Sequence, residues 1–211
     1  MRELVYPGDE LPGQARRAAC TFRLDGSQHA AVMGLYDTES ASFVPLEGLW
    51  TPRQNDAVVG VVSIARPERG VYAVDLCYFG SGVLLVDENR HGSAAQRRSD
   101  ACAYEVGSVI SAEVARVEHR RDVVLRSPKR LAGGSLMLIK PSKVPRVLGR
   151  GNTMLRQIME ITACTIVVGL NGLLWLSGGE VAAAKLAILK IEREAHMPGL
   201  TESIRTMLVS R

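Results

Sequence analysis

The sequence predicts a multidomain chain of β and α+β modules: a small N-terminal β domain, a central five-stranded barrel, and a C-terminal domain in which helices join the strands. Three observations carry this. Turn residues punctuate positions 1–50 so densely that only short strands fit between them; five strand-like runs follow; and helical repeats begin only beyond position 127. The chain is thereby divided into residues 1–52, 53–126 and 127–211. Its 211 residues are 46% hydrophobic but only 5% aromatic, with 20 glycines, a balance that suits several small modules better than one large aromatic core.

In the first segment, turns are marked by Pro7-Gly8-Asp9, Leu11-Pro12-Gly13, Asp25-Gly26, Gly34, Pro45 and Gly48. Asp25-Gly26, set between residues 20–24 and 29–33, reads as a two-residue hairpin turn. In the second segment, strands are expected at residues 57–64, 71–76, 82–86, 108–117 and 122–125, with a long irregular connection between the third and fourth. That spacing fits the partly open Greek-key barrel of the OB-fold. Gly60 suits a strand that bends sharply as a barrel closes. OB-folds bind single strands on their second and third strands and the flanking loops, by base stacking and phosphate contacts. The candidates there are Tyr72 on the second strand, Arg66 and Arg69 in the turn before it, and Arg97 and Arg98 in the long connection.

The third segment opens with a short strand at 135–139. It continues through PSKVPRVL at 141–148 into Gly149-Arg150-Gly151-Asn152. Asn152 or Thr153 is placed to cap a helix with the apolar stripe Leu155, Ile158, Met159 and Thr162. A hairpin follows, residues 164–168 and 173–176, joined by Gly169-Leu170-Asn171-Gly172 with its Asn-Gly pair. A second helix spans residues 180–195, with Val181, Ala184, Ile188, Ile191 and Ala195 toward a core and Lys185, Lys190 and Arg193 toward water; a last helix covers 202–209.

A glycine-rich loop at a helix entrance, flanked by basic residues and followed by helix, strand, strand and helix, is the arrangement of a KH RNA-binding domain. Two glycines let the backbone approach a sugar-phosphate chain, the helix N-terminus offers N–H groups, and cations neutralise phosphate. The usual KH loop is G-x-x-G, and here Asn152 takes the fourth place. Asn tolerates positive φ, so the turn survives the change. The RNA-binding candidates of this domain are Lys143, Arg146, Gly149, Arg150, Gly151 and Asn152.

Charge is distributed in the same sense. The net charge is only +4, yet residues 1–52 carry four basic against seven acidic groups, residues 53–126 ten of each, and residues 127–211 twelve basic against five acidic. Residues 127–156 hold seven Lys and Arg and no acid, a local positive field. The sequence shows no secretory leader and no apolar run long enough to span a bilayer, so a soluble, cytoplasmic protein is expected. Cys20, Cys77, Cys102 and Cys164 are dispersed and the four histidines are scattered, so no metal site, disulfide framework or cofactor is expected. No catalytic motif is present, and the chain is not expected to be an enzyme.

Beyond the individual motifs, nearly the whole chain resembles the archaeal exosome RNA-binding cap subunits of the ribosomal RNA-processing protein 4 family. The resemblance rests on PGD at 7–9, DAVVGVV at 56–62, PSKVPRVLGRGNTM at 141–154, VGLNGLLWLSG at 168–178 and IEREAHMPGLTESI at 191–204. It implies an N-terminal domain that docks on a hexameric RNase-PH-like ring, an S1-type OB-fold barrel around the entry pore, and a peripheral KH domain. It also implies a non-catalytic homotrimeric cap, or one mixed with a related cap subunit, that takes single-stranded, A-rich RNA. Gly169, Asn171 and Gly172 match the G-x-N-G element of the family's KH domain, which implies packing against the barrel. An assembly protein with weak RNA affinity is the alternative. A free-standing nuclease would rest only on unassigned carboxylates such as Asp75 and Asp87.

Overall fold

The computed structural model describes residues 2–12, 21–39, 41–46, 48–78, 80–85, 104–118, 122–195 and 200–209. Arg97, Arg98 and Asp87 lie outside the described residues. The chain forms two compact units: Met1–Thr51 with Lys140–Ser142, and Pro52–Ile139 with Lys143–Arg211.

The first unit contains strands β1 (Arg2–Val5), β2 (Thr21–Leu24), β3 (Ser27–Ala30), β4 (Gly34–Asp37) and β5 (Ser42–Pro45). They form an antiparallel sheet, β1-β4-β5, and a separate β2-β3 hairpin. At the hairpin tip both Asp25 (φ 50°) and Gly26 (φ 86°) take positive φ, as a two-residue turn matched to strand twist requires. The Pro7-Gly8-Asp9 turn closes through Asp9, which accepts from the Tyr6 N–H at 2.8 Å. Val5, Leu11, Ala30, Tyr36 and Phe43 form the unit's small core.

The second unit begins with a five-stranded barrel: β6 (Ala57–Arg66), β7 (Val71–Asp75), β8 (Gly82–Leu85), β9 (Val109–Val117) and β10 (Val123–Leu131). The order is β10-β8-β7-β6-β9, and β9 pairs with β10 to complete the ring, so the barrel is closed where a partly open one was expected. Closure brings β6 hard against β7. A Cβ on Gly60 would lie 2.5 Å from the Val74 side chain and 2.9 Å from the Asp75 carbonyl, so only glycine fits.

β10 also runs well past residue 125, where the strand was expected to end. Pro128 reads as a strand breaker, but the register of β10 on β9 shifts between Arg126 and Lys129 and Ser127 takes φ 51°. A bulge needs no ladder N–H at that point, so it accommodates the proline. Lys129 and Arg130 therefore belong to a barrel strand.

The rest of the unit is β11 (Ser135–Leu138), α1 (Val144–Leu148), α2 (Thr153–Thr162), β12 (Thr165–Val168), β13 (Leu173–Ser177), α3 (Val181–Glu194) and α4 (Leu200–Val209). The strands make an antiparallel sheet, β11-β13-β12, leaving β12 on an edge. Val147, Ile158, Leu174, Leu176, Ile188, Ile191 and Ile204 are fully buried between sheet and helices. Helix α1 was not anticipated. It is one turn long, with Pro145 in its first turn, where the missing N–H costs nothing. Lys185 differs from expectation too: it is half-buried and its ammonium donates to Ser135 Oγ rather than facing water.

Candidate nucleic-acid interface

The stretch between α1 and α2 is built from three residues in the left-handed region and each has its own reason. Gly149 (φ 72°, ψ 176°) ends α1, its N–H donating to the Pro145 carbonyl at 3.0 Å. A Cβ there would sit 2.8 Å from Met154 Cβ and 2.9 Å from the Met154 nitrogen, so Gly149 is what lets α2 fold back on the loop. Gly151 (φ 59°) faces open space, with nothing within 4 Å of where a Cβ would stand. Asn152 (φ 61°) precedes the first turn of α2 but makes no side-chain cap. The turn is held instead by Thr153, whose hydroxyl donates to the Arg150 carbonyl at 2.9 Å. The Thr153 N–H donates to the same carbonyl, so the first N–H of α2 is already paired, and it is the Asn152 side chain that is left for solvent or a ligand.

These differences predict a split between the two glycines. Gly149→Ala is expected to cost about 2 to 3 kcal/mol, from strain at a backbone conformation reserved for glycine plus overpacking on Met154. Gly151→Ala is expected to cost about 1 kcal/mol, for positive φ alone. Urea midpoints of the two variants, compared with the parent, measure the difference.

The cations around this loop are unneutralised. Arg146, Arg150 and Arg156 are exposed and Lys143 is half-buried, and among the described residues none of the four makes an ion pair or side-chain hydrogen bond. Two carboxylates that do pair lie on the barrel, Glu118 with Arg116 at 2.8 Å and Glu113 with Arg126 at 3.3 Å.

Beside the loop an open groove of about 660 Å³ runs along α2 to the start of the edge strand β12. Asn152 stands at one end, Arg156, Glu160 and Thr165 supply polar atoms along it, and Leu155 and Met159 form an apolar floor. The sequence reading placed Leu155 and Met159 in the core stripe. They do pack against the core, half-buried, while also lining the groove; the fully buried positions of α2 are Met154, Ile158 and Thr162. An apolar face broader than a core stripe needs was the available sign.

On the barrel, Arg66 and Arg69 are exposed at the β6–β7 turn. Tyr72 is not available to a ligand: it is 1% exposed, inside the barrel, with its ring edge-on to Tyr104 at 5.5 Å. The outward residues of β7 are Val71, Ala73 and Asp75, so this strand offers no ring for stacking. The Asp75 carboxylate accepts from the Cys77 N–H at 2.8 Å, closing a local turn. Loss of hydration, helped by the Asp75 charge, pushes the Cys77 thiol up, so it stays protonated at neutral pH. Among the described residues, no three His, Cys, Asp or Glu side chains gather in a metal-binding group.

Residues 169–172 are buried against the barrel. Asn171 Nδ2 donates to the carbonyls of Val59 (2.7 Å) and Leu76 (2.9 Å), and the Val59 N–H donates back to Asn171 Oδ1 at 3.3 Å. The Leu170 N–H donates to the Ala57 carbonyl at 2.8 Å, and a Cβ on Gly169 would collide with Asn171 Oδ1 and the Val59 nitrogen. Within this loop only Gly172 takes positive φ (89°), and its N–H donates to the Gly169 carbonyl at 3.0 Å. The connection is therefore a three-residue loop with a glycine bulge, not an Asn-Gly two-residue turn. Val59, Leu173 and Trp175 pack together beside it, with the Trp175 indole donating to the Gly133 carbonyl at 2.7 Å.

The family model for the KH domain matches residues 135–193, from β11 into α3. Over its full length the chain is similar to proteins described as exosome complex component Rrp4. That of Pyrococcus horikoshii is 33% identical over 100% of this chain and 83% of its own. That of Methanothermus fervidus is 30% identical over 99% and 96%, and that of Thermoplasma acidophilum 31% over 99% and 90%. A crystal structure described as that of an exosome complex RNA-binding protein superposes with a TM-score of 0.64 at 27% identity, covering 77% of this chain and 97% of that one.

Proposed function

The chain belongs to the Rrp4 family of exosome components, and from that premise we propose that it captures single-stranded RNA and directs the 3′ end into a phosphorolytic ring for 3′-to-5′ degradation or processing. As a member of that family it is a non-catalytic, RNA-binding subunit of the exosome with a KH domain. The observation that carries the finer reading is the loop at Gly149-Arg150-Gly151-Asn152. Four cations with no ion pair among the described residues, an open glycine and the free Asn152 side chain surround this loop, and Asn152 and Arg156 also line the open groove. Each of these offers something to a phosphate: charge, close approach, or the N–H groups of the Asn152 amide. Lys143, Arg146, Gly149, Arg150, Gly151 and Asn152 hold the backbone of the strand in this reading, with Arg66 and Arg69 as a second contact. Three copies, or a mixture with a related cap subunit, sit on a hexameric RNase-PH-like ring. No described helix is long and apolar enough to cross a membrane, and we place the work of the complex in the cytoplasm.

If about three to five phosphates are neutralised, log K is expected to fall against log salt with a slope of about −2 to −3.5. Arg150→Glu is expected to weaken binding about tenfold for every sequence alike and to flatten that slope, because phosphate contacts position a strand without reading it. Fluorescence anisotropy with labelled oligonucleotides at several salt concentrations measures both. A flat salt response in the parent chain removes the capture reading.

An assembly subunit with weak RNA affinity is the second reading, favoured by two observations. The exposed apolar side chains of the first unit include Leu4, Tyr6, Phe22, Leu24 and Leu49, and the second strand of the barrel exposes no aromatic ring. Unchanged RNA degradation by a complete complex carrying Arg150→Glu would select it.

A further inference from the structure

An exposed hydroxyl lies within the unneutralised cations, and phosphate capture leaves it unused. Thr153 is the first residue of α2 and is exposed. Arg150 precedes it by three residues, Arg146 by seven and Lys143 by ten, while Arg156 follows it by three, and residues 127–156 hold no acid. Residues three apart on a helix are neighbours, so Thr153 and Arg156 share one side of the first turn. Among the described residues none of the four cations makes an ion pair. The Thr153 hydroxyl donates to the Arg150 carbonyl at 2.9 Å, but the Thr153 N–H donates to the same oxygen, so the turn keeps its backbone bond if the hydroxyl is lost. None of residues 150–152 is buried, and the turn can open locally with little loss of packing.

Protein kinases select their acceptors partly by charge, and a hydroxyl preceded by arginines with no acid nearby suits an arginine-directed enzyme. We propose that Thr153 is a phosphorylation site that switches RNA capture off, with ATP as the phosphoryl donor and an arginine-directed serine/threonine kinase as the catalyst. In that step Thr153 Oγ attacks the γ-phosphorus, the bond from that phosphorus to the β–γ bridging oxygen breaks, ADP leaves, and the hydroxyl proton passes to the base of the kinase. The product carries a charge of about −1.5 to −2 and three acceptor oxygens. It engages Arg150 and Arg156 in charge-assisted hydrogen bonds, so the cations that would hold RNA are satisfied from within, and it repels the phosphates of the strand. This rests on the capture reading, since the switch acts through the phosphate contacts of the loop.

The test treats the intact chain with ATP and the catalytic subunit of cyclic-AMP-dependent protein kinase, an arginine-directed enzyme, and follows both the modified peptide and the RNA affinity. Trypsin releases residues 151–156 as one peptide in which Thr153 is the only hydroxyl residue, and mass spectrometry is expected to find one phosphoryl group on it. The phosphorylated chain is expected to bind oligo(A) and oligo(U) about tenfold more weakly, both alike, with a salt slope shallower by about 1 to 1.5, the loss of about two phosphate contacts. Thr153→Val removes the acceptor without adding charge. It is expected to leave that peptide unmodified and to bind RNA within about twofold of the parent. Thr153 is exposed, so a thermal midpoint close to the parent's verifies that the fold is kept. An unmodified peptide, while a control substrate of the same kinase is modified, overturns the proposal, and so does a phosphorylated chain that binds RNA as the parent does. A loss of affinity in Thr153→Val as large as that on phosphorylation also overturns it, because the effect would then belong to the hydroxyl and not to the charge. If the unmodified chain still shows the salt slope and Arg150→Glu still weakens it, capture stands and only the switch falls. A flat salt response in the unmodified chain removes both.

Discussion

Replacing Asn171 by alanine is expected to destabilise the barrel-and-KH unit by about 3 to 5 kcal/mol, the sum of several buried polar groups left without partners. Asn171 is 1% exposed, and its amide is the shared partner of the Val59 N–H, the Val59 carbonyl and the Leu76 carbonyl. Truncation strands all three inside the protein, and the space left behind is bounded by Gly169, which cannot be enlarged to fill it. Asn171→Asp is expected to be at least as damaging, because it keeps the acceptor for Val59 but sets a carboxylate against two carbonyl oxygens. Urea denaturation followed by circular dichroism measures the effect as a lower midpoint at unchanged m. A midpoint for Asn171→Ala equal to the parent's would mean that water replaces the amide without loss. Because Asn171 belongs to the β12–β13 loop and its partners to the barrel, the same bonds fix the KH sheet on the barrel. A cooperative transition of both together is the expected form of the curve.

This bond network shows where the sequence was legible and where it was not. Asp25-Gly26 and Gly60 could be read because the reason for each residue is local: a turn that needs positive φ, or a strand that must pass close to its neighbour. The Gly149-Arg150-Gly151-Asn152 loop was legible for the same reason. Asn171 was not legible from spacing, because the atoms that justify it are 95 and 112 residues away in the chain; only its likeness to a family element marked it. In Gly169-Leu170-Asn171-Gly172 the local pattern even misled, since an Asn-Gly pair suggests positive φ at Asn. The tertiary bonds hold Asn171 in a three-residue loop instead. Pro128 misled in the opposite direction, by hiding a strand that a bulge allows to continue. Leu155 and Met159 were legible as core and do pack against it; their second part, as the groove floor, was not, because the same half-buried side chains serve both and composition does not separate the two.

Tyr72→Ala is expected to cost the same unit about 3 to 5 kcal/mol, as large-to-small substitutions of buried aromatics do, while leaving RNA affinity unchanged wherever the chain remains folded. An exposed stacking tyrosine would behave in the reverse way, with little effect on stability and a loss of about 1 to 3 kcal/mol per base in binding. The difference lies in the two-residue period of a strand. Asp75 is exposed on β7, so Val71 and Ala73 share its outward face and Tyr72 and Val74 point into the barrel. There the Tyr72 ring meets Tyr104 at 5.5 Å and 81°, an edge-to-face contact that itself adds to stability. The parity of Asp75 was present in the sequence and is sufficient to turn Tyr72 inward. The measurement is a pair of curves on one variant: urea denaturation, and anisotropy with oligo(A) and oligo(U) at a temperature where circular dichroism shows the fold intact. A variant as stable as its parent but weakened toward RNA in a base-dependent manner would return Tyr72 to the binding surface and place the β7 register one residue out. A large stability loss with unchanged binding leaves the barrel's contribution to RNA on Arg66 and Arg69, which act on phosphate and are indifferent to the base.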